Sequence, residues 1–131
     1  MKNLTIAQVM KTAPISVDMD TRLGEVRSLL EKHGFHHLPV LDGEELVGII
    51  SDRDILRLVS PFLDTAAEMT RDLDVLDKAA HQVMTRQPIC VSLDDSLKKV
   101  VDWMLNARIS CIPVLDKGRL VGIITWRDLV S

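Results

Sequence analysis

The sequence predicts an α+β fold made of two β-α-β-β-α units, and three observations carry that prediction. Laid over itself at an offset of 74, the chain repeats: residues 9–56 align without a gap on residues 83–130, with 19 of 48 positions identical. Each repeat joins one amphipathic helical stretch to β-branched runs of strand length. Proline, glycine and Asp-Gly signals punctuate those runs at matching places. Two similar units in a small chain each leave an apolar face that a copy or neighbour must cover.

The elements follow in order. Thr5-Ile-Ala-Gln8 has capping-box spacing and opens a short helical turn to Met10, which Pro14 closes. Ile15-Ser-Val17 is extended. From Leu23, apolar residues recur at Val26, Leu29 and Leu30 with helical spacing until Gly34. His37-Leu-Pro-Val-Leu41 and Leu46-Val-Gly-Ile-Ile50 read as strands joined by an Asp-Gly turn at Asp42-Gly43. Ser51 stands where a helix N-cap belongs, ahead of a helix expected to reach Val59. The second repeat has strands at residues 89–91, 111–115 and 120–124, and a helix near residues 96–107. Thr125 opens a closing helix, shorter than its counterpart because the chain stops at Ser131. Residues 60–78, between the repeats, read as a polar surface connector with partial helix. The segment 79–84 matches the turn that opens the first repeat.

Composition bounds the function. With 131 residues, 47% apolar and 27% charged, the chain can bury one sizeable core, whereas half of it would be marginal. A net charge of −3, and Asp64, Glu68, Asp72, Asp74 and Asp77 against Arg71, argue against a phosphate-backbone footprint, so no nucleic-acid partner is expected. No window approaches the roughly 20 apolar residues of a bilayer span, and a cytoplasmic home is expected. Cys90 and Cys111 sit in apolar runs without metal-type spacing and read as buried reduced thiols. His33, His36 and His37 have no cysteine or carboxylate at ligand spacing, so no metal site is expected.

The motifs are specific once doubled. PVLDGEELVGIISDRDIL and PVLDKGRLVGIITWRDLV share Pro39 and Pro113, Gly48 and Gly122, and a hydroxyl-x-x-Asp corner at Ser51–Asp54 and Thr125–Asp128. Such a corner presents a hydroxyl, amide donors and an ionised carboxylate. The carboxylate accepts from a ribose diol but not from a phosphate, while amides receive anions. The plainer reading is an N-cap, with Ser51 and Thr125 capping and Asp54 and Asp128 in the first turn.

With Pro14 and Pro88, Leu38-Pro39-Val40 and Ile112-Pro113-Val114, and GIISDRD and GIITWRD, both repeats resemble cystathionine β-synthase (CBS) domains, and the pair resembles a Bateman module. The resemblance implies residues 1–59 and 79–131 as two CBS domains flanking the connector, packed as a pseudo-twofold pair. It implies two clefts between the repeats that bind adenosine-containing ligands such as AMP, ADP, ATP or S-adenosylmethionine. One cleft would take Ile49, Ser51, Arg53 and Asp54 with Thr85, Ile89, Cys90, Ile109, Ser110 and Cys111. The other would take Ile123, Thr125, Arg127 and Asp128 with Lys11, Ile15, Ser16, Phe35, His36 and His37. The second gathers Lys11, His36, His37 and Arg127 and is expected to favour the more charged phosphates. In the first, Ser110 and Cys111 replace the histidines. Trp103 fits the apolar stripe of its helix, whereas Trp126 would leave a ring at a cleft mouth or a dimer contact.

No nucleophile motif, P-loop or dinucleotide fingerprint is present, and no catalytic cofactor or enzymatic activity is expected. Surplus apolar helix surface and the resemblance both point to a homodimer. The expected function is a regulatory, nucleotide-sensing module. A dimerising or docking module with empty or vestigial clefts, or the regulatory fragment of a larger enzyme or transporter, is the alternative.

Overall fold

The computed structural model describes residues 4–58 and 74–130. The chain forms two compact units: residues 15–43 with 47–86, and residues 1–14 with 44–46 and 87–131. The opening segment of each repeat therefore belongs to the unit built on the other repeat.

In the first of these units, β2 (Val17–Asp18) leads into α2 (Leu23–His33), followed by β3 (His37–Asp42), β4 (Glu45–Ser51) and α3 (Asp52–Leu56). A 3-10 turn at Ala80–Gln82 precedes β5 (Thr85–Arg86). The sheet order is β2-β3-β4-β5, with β2 parallel to β3 and β5 antiparallel to β4. Leu23, Val26 and Leu30 of α2 pack with Val17, Leu38, Val40, Ile50, Ile55, Ala80 and Met84. Backbone bonds fasten the later segment to the first repeat: Leu23 N to Lys78 O at 2.9 Å, and Ala80 N to Thr21 O at 2.8 Å.

The other unit opens with α1 (Ile6–Val9) and β1 (Lys11–Thr12), then runs through β6 (Val91–Ser92), α4 (Leu97–Ala107), β7 (Cys111–Asp116), β8 (Arg119–Thr125) and α5 (Trp126–Val130). Its sheet order is β1-β8-β7-β6. Thr5 and Gln8 form the expected capping box of α1, and Ile6 is fully buried among Val91, Leu97, Val100, Met104, Ile112, Val114, Ile124 and Leu129. Burying one such side chain contributes about 1.5–3 kcal/mol, which ties the N-terminal turn to this core rather than to its own repeat.

Methionine and glycine close both units in the same way. A Cβ on Gly122 would collide with the Met10 sulfur and stand 3.0 Å from the Lys11 carbonyl; one on Gly48 would meet the Met84 sulfur and stand 2.9 Å from the Thr85 carbonyl. The bare strand lets the edge strands β1 and β5 approach.

Three expectations change. The helix after Ser51 ends at Leu56, where Leu58 N turns back to Ile55 O at 3.0 Å, so α3 and α5 are equally short. Only Ile55 of α3 is buried, and the exposed Leu56 and Leu58 add nothing to hold a longer helix. Trp103 is 39% exposed rather than in the apolar stripe, which consists of Leu97, Val100 and Met104. The turn at the start of the first repeat is α-helical, but its counterpart is a 3-10 turn. Of the expected connector, residues 60–73 lie outside the described residues. Its end has a helical turn at 74–76, with Val75 and Leu76 packed against the first core.

Candidate functional site

Each unit carries one hydroxyl-x-x-Asp corner, and each corner grows from the same local physics. A β-strand buried through Ile50 or Ile124 ends at the hydroxyl residue, and the chain turns into a short helix. At the first corner the Ser51 hydroxyl accepts from Asp54 N at 3.2 Å, while Asp54 Oδ2 accepts from Ser51 N at 2.9 Å. This is a complete capping box, so the plainer reading of the motif is present in the fold. At the second corner Thr125 donates twice to Asp128 Oδ2, through its amide at 2.8 Å and its hydroxyl at 3.1 Å.

In both corners one carboxylate oxygen is fixed by backbone and the other faces a cation. Asp54 Oδ1 lies 4.0 Å from Arg57 Nη1, and Asp128 Oδ1 lies 3.8 Å from Lys11 Nζ. The two carboxylates are 19% and 12% exposed, so both are held in place yet reachable. An ionised carboxylate is a pure acceptor, and this second oxygen retains capacity for hydroxyl donors.

The strand beside each corner differs. Asp52 N bonds to His36 O at 3.0 Å, and at the equivalent place Trp126 N bonds to Ser110 O at 2.9 Å. His36 Nδ1 also meets Asp52 Oδ2 at 2.8 Å. Burial pushes the His37 imidazole down from its ordinary value, with the Asp52 charge opposing, so its ring is held neutral. Burial, aided by the Asp128 charge, pushes the Cys111 thiol up to about 12, and burial alone raises Cys90. Both thiols are free, and Cys90 Sγ donates to Pro88 O at 3.2 Å.

The unit holding Asp54 contains Ile49, Ser51, Arg53, Thr85, Ile15, Ser16, Phe35, His36 and His37. Among these, β-pairing sets Ile49 opposite Thr85, and Asp52 ties His36 to the start of α3. The unit holding Asp128 contains Lys11, Ile89, Cys90, Ile109, Ser110, Cys111, Ile123, Thr125 and Arg127. There, Lys11 pairs with Ile123, and Cys111 with Thr125. Each residue set expected from the resemblance is divided between the units. His36 and His37 bring less free positive charge than the sequence implies, because one ring is engaged by Asp52 and the other is kept neutral. Sequence reasoning passed over Asp52 and Arg57. Their only signal was charge beside the motif.

Among the described residues no group of three or more His, Cys, Asp or Glu side chains is placed to hold a metal, and no helix is long and apolar enough to cross a membrane.

This architecture is that of a CBS pair. The profile described as CBS domain matches residues 6–61 and 80–131, and the chain belongs to that family. A CBS domain-containing protein of Dictyostelium discoideum is 32% identical over 129 residues, covering 96% of this chain and 88% of that protein. An inosine-5′-monophosphate dehydrogenase of Methanocaldococcus jannaschii is 30% identical over 119 residues, and there the chain spans 21% of the relative's length. Among solved structures, CBSX2 in complex with AMP has a TM-score of 0.81 at 27% identity, with 98% of this chain and 95% of that one covered. A CBS domain pair in complex with 5′-methylthioadenosine and S-adenosyl-L-methionine has a TM-score of 0.76 at 28% identity, with 97% of both chains covered.

Proposed function

We propose that this chain is a regulatory module that binds adenosine-containing ligands at its two hydroxyl-x-x-Asp corners. Asp54 and Asp128 accept hydrogen bonds from the ribose hydroxyls, and Lys11 and Arg127 attract phosphate at the second corner. The observation that carries the reading is the doubled carboxylate geometry, in which one oxygen is anchored by backbone at 2.9 or 2.8 Å and the other faces a cation at 4.0 or 3.8 Å. The neighbours solved with AMP and with S-adenosyl-L-methionine support it. Ligand binding that favours one packing of the chain passes a signal to an enzyme or transporter. The free thiols accord with a cytoplasmic setting, and the exposed Leu56, Trp103, Leu105 and Val130 with a homodimer contact.

A thermal-shift panel of AMP, ADP, ATP, NAD, S-adenosylmethionine and GTP tests this. Ligand at 100 times its dissociation constant adds about 2.7 kcal/mol, or roughly 5–11 °C for a chain of this size. Asp54→Ala and Asp128→Ala each remove one corner's response. Silence across the panel rules the reading out in favour of a docking module without a ligand, whereas an unchanged response in the double variant overturns the assignment of binding to these two corners.

A further inference from the structure

The two corners share a backbone but not a rim. Directly after the hydroxyl residue one repeat has Asp52 and the other Trp126, and each is anchored through its amide to the residue just before the facing strand, at 3.0 and 2.9 Å. The difference is therefore chemical rather than geometric. Asp52 adds a second carboxylate two residues from Asp54, and its Oδ2 occupies His36 Nδ1 at 2.8 Å. Asp52 and Asp54 stand against Arg53 and Arg57, a formal balance of zero when His36 is neutral. At the other corner Asp128 stands against Lys11 and Arg127, a balance of plus one, with uncharged Trp126 and Ser110 beside it.

We infer that Asp52 sets the ligand selectivity of the Asp54 corner, an inference that rests on the adenosine-binding reading above. Its carboxylate, two residues from Asp54, opposes a 5′-phosphate held at the same corner, since physiological salt screens charges only beyond roughly 8–10 Å. It also engages His36 Nδ1, which is then not offered to an anion. The Asp54 corner thus takes an adenosine whose 5′ substituent is a neutral thioether or a cationic sulfonium, and the Asp128 corner takes the phosphorylated ligand.

Calorimetric titration of the full chain tests this, with Asp128→Asn present to silence the other corner and AMP, 5′-methylthioadenosine and S-adenosylmethionine as probes. With Asp52 intact, the thioether binds about tenfold more tightly than AMP. Adding Asp52→Asn tightens AMP about tenfold, equivalent to 1.4 kcal/mol, while the thioether moves less than twofold and the sulfonium weakens. Asp52→Glu, which keeps the charge, retains the original preference, and a urea midpoint for each variant confirms folding. If AMP is preferred with Asp52 in place, or if AMP and the thioether shift together, the inference is overturned and the binding reading survives. If neither these probes nor any ligand of the thermal-shift panel binds to any variant or to the unaltered chain, both are overturned.

Discussion

The first-repeat corner and the second-repeat corner are the same device with a common floor and divergent rims. Position by position, His37 answers to Cys111, His36 to Ser110, Asp52 to Trp126, and Thr85 to Lys11. At the floor, two unlike titratable groups reach one result, since burial holds the His37 ring and the Cys111 thiol in their neutral forms. At the rim, charge is redistributed, with an acid and a histidine at one corner and a lysine at the other. Duplication preserved what packing demands and released what faces solvent.

The sharpest way to break the common-floor half of the comparison is thiol chemistry. With Cys111 at about 12 against an ordinary 9.0, the thiolate fraction near pH 8 falls about a thousandfold. Iodoacetamide followed by mass spectrometry should leave Cys111 unlabelled in the native chain and label it in urea. Rapid native labelling would show that this floor is open. Asp128→Asn, which removes one of the two causes, should speed labelling only slightly because burial is the larger.

The methionine-glycine closure is the next feature held in common. Gly48→Ala and Gly122→Ala should each destabilise by about 1–3 kcal/mol in urea denaturation, the range for overpacking a filled site. Met84→Ala should absorb part of the Gly48→Ala cost, and Met10→Ala part of that of Gly122→Ala, as a double-mutant cycle would show; the rest stays, because the Thr85 and Lys11 carbonyls remain 2.9 and 3.0 Å from the added Cβ. Additive losses would mean the contacts do not oppose each other as the distances imply.

These closures also mark where sequence was legible and where it was not. Long periodic elements such as α2, α4, β3, β4, β7 and β8 were readable because burial repeats along them. The strands Lys11–Thr12 and Thr85–Arg86 were not, since two exposed polar residues carry no period. The exchange of opening segments was hidden for a different reason. Ile6 and Met10 look equally apolar whichever core receives them, and only tertiary packing decides. At the candidate site, the hydroxyl-x-x-Asp pattern was plain because it is doubled, whereas the Asp52–His36 pair joins residues 16 apart and has no counterpart to reveal it.

A smaller effect comes from a place where the repeats differ in backbone cost. Gly34 and Arg108 end the equivalent helices α2 and α4, both left-handed, with φ of 67° and 55°. Glycine adopts this region freely and arginine does not. Arg108→Gly should therefore raise stability by about 0.5–1 kcal/mol, and Gly34→Arg should lower it by a similar amount. A loss on Arg108→Gly would show that the arginine side chain outweighs its strained backbone.

The smallest expected effect separates the two floors by pH. His37 has a folded pKa below its unfolded value of 6.5, so above pH 6.5 both states hold the ring neutral and it adds no pH dependence. As pH falls through 6.5, the unfolded chain binds a proton that the folded chain resists, and stability drops until the lower folded pKa is passed. The Cys111 corner has no such group in this range, because its thiol is protonated in both states. His37→Gln should therefore flatten the urea midpoint between pH 7.5 and 5.5 relative to the unaltered chain, whereas Cys111→Ser should leave that slope unchanged. Asp52→Asn should steepen it, since the Asp52 charge partly offsets burial at His37. Equal slopes in all four proteins would mean that the ring is solvated in the folded state, and that the neutral floor belongs to one corner alone.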